Sequence, residues 1–247
     1  MPEPLLLAGL FFLAALLYSS VGHAGASAYL AAMALVGVTP DVARPTALAL
    51  NVLVAILVLL RFWRGGHVSL RALAPFLAGS VPAAFIGGAI DVPTVVYKPL
   101  LGVVLLIAGA QFARPASRVA ESGGDVPRVP LVPGVIWGAA IGLASGLVGT
   151  GGGIFLTPLL ILAGWSATRP AAGISAGFIL ANSIAGLAGN VAGLGFLPAA
   201  LPLWIVAVLA GALIGSELGV KRAPTPQLRL ALALVLVIAG LKLIFFG

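Results

Sequence analysis

The hydrophobic positions of this chain do not alternate with polar ones and do not form one-sided stripes; they come in long uncharged blocks divided by short stretches carrying Arg, Lys, Pro and Gly. In order, the blocks are Pro4–Ser20, Ser27–Gly37, Pro45–Phe62, Leu70–Ile90 and Tyr97–Phe112. After a polar linker, Ala113–Pro130, the series resumes with Leu131–Leu147, Ile154–Gly164, Pro170–Asn190, Leu197–Leu218 and Gln227–Phe246. Runs of this length, rich in Leu, Ala, Val, Ile and Gly, predict membrane helices rather than the short alternating strands of an outer-membrane barrel. The same series of blocks occurs twice, which divides the chain into a first repeat, residues 1–112, a linker, 113–130, and a second repeat, 131–247.

Short landmarks match between the halves in the same order. Val21-Gly22-His23-Ala24-Gly25-Ala26 aligns with Val148-Gly149-Thr150-Gly151-Gly152-Gly153, Ile86-Gly87-Gly88 with Ile214-Gly215-Ser216, and Leu106-Ile107-Ala108-Gly109 with Val237-Ile238-Ala239-Gly240. Length then constrains topology. Pro4 to Gly37 as one helix would be roughly 50 Å long against a hydrocarbon core of about 30 Å, and Ser27–Gly37 alone is too short to cross. A hairpin that dips in and returns at the glycine break meets both limits; one bent crossing is the alternative. With hairpins, each half has an odd number of full crossings and the second half is inverted. One side then receives Arg61, Arg64, Arg71, Arg114, Arg118, Arg128, Arg169, Lys221, Arg222 and Arg229, ten of the thirteen basic residues, and the other Arg44, Lys98 and Lys242. With single crossings the same residues divide seven against six. Basic residues collect on the cytoplasmic side, so the inverted arrangement is expected, with both termini outside and the linker in the cytoplasm. The fold class expected is an all-α polytopic membrane protein of two inverted repeats, each a Gly-broken helical hairpin plus three transmembrane helices, about eight transmembrane regions by conventional count.

Composition agrees with that class: 61% of the residues are hydrophobic, 8% are charged and the mean hydropathy is +1.21, whereas soluble domains are about a quarter charged. The net charge of +7 sits in connections between apolar blocks, where it sets orientation, so no nucleic-acid partner is expected. Cys is absent, which excludes disulfides, thiolate metal sites and cysteine nucleophiles; no metal and no cofactor is expected. Met1-Pro2-Glu3-Pro4 has no basic region of the signal-peptide kind, and the N-terminal segment is expected to be retained.

The densest glycine run is Gly149-Thr150-Gly151-Gly152-Gly153, placed just before an apolar segment. Within a membrane, such a break is tolerated only where it is buried in protein or lines a cavity. A short helix starting there presents unpaired N–H groups and the positive end of its dipole, which attract an anion without a charged side chain. Inverted repeats with broken helices place substrate near the midplane between the halves. The candidate binding residues are therefore Ser20, Gly22, His23, Ala24 and Gly25 of the first break, and Ser145, Gly149, Thr150, Gly151, Gly152 and Gly153 of the second. Tyr18 and Ser19 are neighbours. Asn51 (with Thr46), Ser175 and Asn182 on the third segment of each half are placed to face the same cavity, the alternative being bonds between helices. His23 lies opposite Thr150 and is suited either to bond an anion or to carry a proton. Gly211-x-x-x-Gly215-x-x-x-Gly219 and Gly189-x-x-x-Gly193 are read as helix-packing spacings. Asp41 and Asp91 fall in external connections with Arg44 and Lys98 close by.

The stretch from Gly146 to Leu160, with Gly149-Thr150-Gly151-Gly152-Gly153-Ile154-Phe155-Leu156-Thr157-Pro158 at its centre, resembles the glycine-rich signature of the TauE/SafE sulfite exporter family of membrane transporters. Its first copy, Val21 to Ala26, is similar but carries alanine at two glycine positions, and His23 departs from the pattern. The resemblance implies export of sulfite or small organosulfur anions such as sulfoacetate across the bacterial inner membrane. An anion channel, or a carrier of another small anion, is the alternative. Gly173-Ile174-Ser175-Ala176-Gly177 has the spacing of a nucleophile elbow but falls inside a membrane segment, not in a strand–turn–helix, so no catalytic residue is expected. The partners expected are a small anionic substrate and membrane lipid; the residues leave oligomeric state open, a homodimer being one option.

Overall fold

The computed structural model describes residues 4–113, 129–221 and 226–245. The linker 113–130 lies almost wholly outside them, as do Arg114, Arg118, Arg128 and Arg222 of the orientation argument. Among the described residues the chain is all-helical, with ten α-helices and one 3-10 turn, and no strand. They are α1 (Pro4–Ser19), α2 (Ala26–Leu35), α3 (Pro40–Arg64), α4 (Leu70–Ala89), α5 (Thr94–Ala113), α6 (Leu131–Val148), α7 (Gly153–Leu162), α8 (Thr168–Gly189), the 3-10 turn Val191–Phe196, α9 (Leu201–Lys221) and α10 (Pro226–Phe245). Six of them, α3, α4, α5, α6, α8 and α9, are long and apolar enough to cross a membrane among the described residues. This is a polytopic helical membrane protein.

Two boundaries differ from expectation for identifiable reasons. α3 begins at Pro40, not at Pro45, so Asp41 and Arg44 are helical residues and not loop charges. Thr39 stands at the N-cap, Pro40 opens the first turn and Asp41 occupies it, the sequence of residues that favours a helix start. Pro45 lies inside the helix, where the N–H it lacks leaves Asp41 O without its usual i+4 donor. After α8, the chain forms the 3-10 turn Val191–Phe196, and α9 starts at Leu201 instead of Leu197.

Glycines set which helices touch. α6 runs alongside α4 in the same direction, with Gly138 on the backbone of Phe76, Gly142 on Ser80 and Gly146 on Ala84. α9 runs alongside α1 in the same way: Trp204 Nε1 donates to Pro4 O at 3.0 Å, Gly211 lies on Phe12 and Gly215 on Leu16. α5 and α10 are antiparallel, Gly102 facing Ile244 and Gly109 facing Val237. Any Cβ at these positions would overlap a neighbouring backbone or side chain, so the seams close to the distance that small residues permit. Gly189 packs in this manner on Phe85 and Ala89, but Gly193 faces its own neighbour Asn190 and joins no helix seam.

The same contacts place the helix ends. The start of α1 meets the start of α9, and the end of α2 meets the end of α10, where Lys242 Nζ donates to Ala34 O and Leu35 O. Since α10 ends beside the start of α5, and α8 ends against the end of α4, all of these ends share one face of the bundle. The starts of α4, α6 and α8 share the opposite face: Gly134 lies on Pro75, and Gly173 on His67. The pair α1–α2 therefore enters and leaves by one face, and α6–α7 by the other. Between them lies a core of Phe11, Tyr18, Tyr29, Met33 and Leu50, all fully buried. A smaller core, with Phe76, Ile141, Leu156 and Phe178, sits among α4, α6, α7 and α8.

Candidate functional site

Both hairpins turn on glycine in the left-handed region. In the first, Gly22 (φ +83°) ends the turn after α1 and Gly25 (φ +101°) caps the start of α2. In the second, Gly149 (φ +89°) closes α6, Gly151 follows at +75°, and Gly152 (φ +79°) caps the start of α7. No other residue type takes this conformation among the described residues, as expected from the cost a Cβ carries there.

The two helix starts open on one small central cavity of about 10 Å³, room for about one water. It is lined by Tyr18, His23, Ala24, Gly25, Ala26, Ser27, Asn51, Thr150, Gly153, Ile154 and Ile179. Of the residues expected at a site, His23, Ala24, Gly25, Asn51, Thr150 and Gly153 are thus brought together. Asn51 joins them: its Oδ1 accepts the first N–H of α2, from Ala26, at 3.2 Å, and its Nδ2 donates to Ser183 Oγ on α8 at 2.8 Å. Gly151 lies so close to Asn51 Nδ2 and Ser183 Oγ that any side chain there would overlap them.

His23 spans the halves. Its Nε2 lies 3.1 Å from Gly153 O and 3.0 Å from Thr157 Oγ1, and the Thr157 hydroxyl donates to Ser175 Oγ at 2.7 Å. Gly153 O only accepts, and the Thr157 proton is committed to Ser175, so the consistent tautomer carries its proton on Nε2. Nδ1 is then an acceptor, and it is buried without a partner, as is Thr150 Oγ1. Tyr18 and Ser27 pair with each other at 2.6 Å, and the Tyr29 hydroxyl donates to Ala24 O at 2.7 Å.

The remaining expected residues stand behind this cavity. Ser20 Oγ donates to Leu17 O, and Gly22 packs on Ala172 and Phe62. Ser145 is buried beside Gly152, which also faces Phe178 and Ile141. Ser175 reaches the site only through Thr157, and Asn182 Nδ2 donates one turn back to Phe178 O, leaving its Oδ1 buried without a partner. Thr157 and Ser183 were not expected; a threonine one turn beyond the glycine run, on the helix that starts there, is the signal that points to the former.

Arg44 is the largest departure from the sequence reading. It is 7% exposed, and although the Asp91 carboxylate lies near enough to act on it, its guanidinium is hydrogen-bonded to main-chain oxygens. Nε and Nη2 donate to Gly146 O at 3.0 and 2.7 Å, Nη2 also to Gly87 O (2.5 Å) and Gly88 O (2.8 Å), and Nη1 to Ile90 O at 3.1 Å. These are the last carbonyls of α4 and α6, where the helix dipole favours a cation. Tyr97 adds a bond to Val148 O at 2.9 Å. Together they hold the end of α6, and with it the second break.

Among the described residues no cluster of His, Cys, Asp and Glu is arranged to hold a metal ion. Residues 7–243 match the family described as "Sulfite exporter TauE/SafE". Over 244 residues, 98% of this chain and 99% of the relative, the sequence is 41% identical to the "Probable membrane transporter protein y4hK" of Sinorhizobium fredii. No solved structure matches it. The chain belongs to the TauE/SafE sulfite exporter family of membrane transporters.

Proposed function

We propose that the chain is an inner-membrane carrier that exports small sulfur-containing anions, sulfite or organosulfonates, binding the anion between the starts of α2 and α7. The observation that carries this reading is the convergence of the starts of α2 and α7, at Gly25–Ala26 and Gly153–Ile154, on one cavity that Asn51 also lines. Two helix N-termini supply N–H donors and positive potential without a competing carboxylate. Asn51 Oδ1 already occupies an N–H of α2, as an anion oxygen would, and a ligand displaces it. With room for about one water, the cavity is too small at this point for a continuous open pore.

The two halves are inverted repeats, residues 1–112 and 131–247, with both termini outside and the linker cytoplasmic. Matched helices make matched contacts, α1 on α9 and α6 on α4, and the hairpins enter from opposite faces, which supports duplication with inversion. The test is thermal stabilisation of the purified protein by sulfite, sulfate, thiosulfate, sulfoacetate, taurine and chloride, with Gly151→Val beside the wild type. A ligand of the folded state raises Tm with occupancy. A sulfur anion that stabilises the wild type and not the variant supports the reading; no response to any anion removes it.

A further inference from the structure

We infer that the central site takes up one proton with each anion, and that His23 Nδ1 holds it. The inference rests on the anion site proposed above and concerns how that site is charged. The imidazole is anchored through Nε2 to Gly153 O and Thr157 on α7, which leaves Nδ1, buried and without a partner, as its remaining polar atom. In the neutral ring that atom offers a lone pair, which repels an anion. One proton converts it to a charged N–H donor, the group an anion requires.

Among the described residues that line the cavity, His23 is the only imidazole, the side chain suited to gain a proton when an anion enters. From α1 the wall presents Tyr18 and from α2 Ser27, already paired with each other. From α3 it presents Asn51, committed to Ala26 N and Ser183. The second break brings Thr150, and α7 and α8 bring the Thr157–Ser175 pair behind the ring. Among the described residues no Asp, Glu, Lys or Arg lines the cavity. The proton comes from water, forms an N–H bond at Nδ1 and returns to water when the anion leaves, so no bond within the anion changes. The repeat carries Thr150 at the matching place in the other half, so one proton per cycle is expected, not two.

The sign follows directly. Imidazolium and anion attract each other, so binding takes up a proton wherever the free site is neutral, and affinity rises as pH falls. The experiment is calorimetric titration of the purified protein with sulfate, thiosulfate and sulfoacetate, none of which titrates near neutrality, in buffers of different ionisation enthalpy from pH 6 to 9. The expected result is uptake of about one proton per anion and a Kd that weakens about tenfold per pH unit on the alkaline side. His23→Gln, whose amide retains a donor for Gly153 O, is expected to bind more weakly than the wild type at pH 6, with no proton uptake and no pH slope. Wild-type binding without proton uptake overturns the inference and leaves the anion site standing. Uptake that persists in His23→Gln assigns the proton elsewhere and also overturns it. If no anion binds the wild type at any pH, the anion site itself fails and the inference falls with it.

Discussion

The two glycine breaks occupy matching places in the two halves, yet the first presents a histidine to the cavity where the second presents a threonine, and the second has glycine at two places where the first has alanine. Gly22 pairs with Gly149 and Gly25 with Gly152, and all four are left-handed; glycine at these places follows from φ alone. Ala24 and Ala26 stand where the second break has Gly151 and Gly153. Ala24 is not left-handed, and its carbonyl is held by Tyr29. Gly151 is left-handed and has Asn51 and Ser183 against it, while a Cβ on Gly153 would meet Ile179 and His23. The comparison teaches that glycine within one motif answers to two causes: some positions need the dihedral, others need the space that side chains of both halves fill.

The sharpest way to break the comparison is to remove what holds only the second break. Arg44→Leu leaves the carbonyls of Gly87, Gly88, Ile90 and Gly146 without their donor, at about 1–3 kcal/mol for each buried group left unpaired. The expected outcome is a large fall in Tm and in the yield of monodisperse protein. Arg44→Lys is expected to recover little of it, because an ammonium cannot fork across two helix ends. Next in size, Gly151→Val is expected to abolish anion binding, more than 100-fold in Kd by titration, while the protein still inserts.

Smaller effects sharpen the contrast. Thr157→Val removes the hydroxyl between His23 and Ser175, and transport measured in vesicles is expected to fall about tenfold with a stability loss of about 1 kcal/mol, read as a lower Tm. Tyr29→Phe unties Ala24 O of the first break alone. Its expected cost is near 1 kcal/mol, read as a Tm shift with anion affinity changed less than threefold; a larger loss of affinity would show that backbone geometry matters equally in both breaks.

Much of this was legible in the sequence. Block lengths predicted nearly every helix, since uncharged runs bounded by Gly, Pro and Arg have few other solutions in a membrane. The breaks were legible because four glycines in five positions from Gly149 to Gly153 are too dense for a packing stripe. The seam of α4 on α6 was not: Gly79, Gly87, Gly138, Gly142 and Gly146 give no local sign of which helix they meet, because pairing between distant helices is a property of the assembled bundle. Arg44 was misread for a related reason. Counting basic residues by side assumes that each one lies in water or at a headgroup, and its partners are main-chain oxygens that no side-chain pattern reveals. Thr157 was hidden likewise, since its role depends on His23 of the other half.

Arg44 also bears on how the molecule is made. Its Gly146 contact lies 102 residues downstream, so the ribosome delivers the cation to the membrane long before the carbonyl that completes its shell. During that interval the guanidinium has only the end of α4 to hold, or it remains at the lipid headgroups, and α3 is not yet fixed at its final depth. The first half is thus an unfinished insertion intermediate by construction. The shell of Arg44 closes only when α6 arrives, and α1 and α5 wait longer still, for α9 and α10.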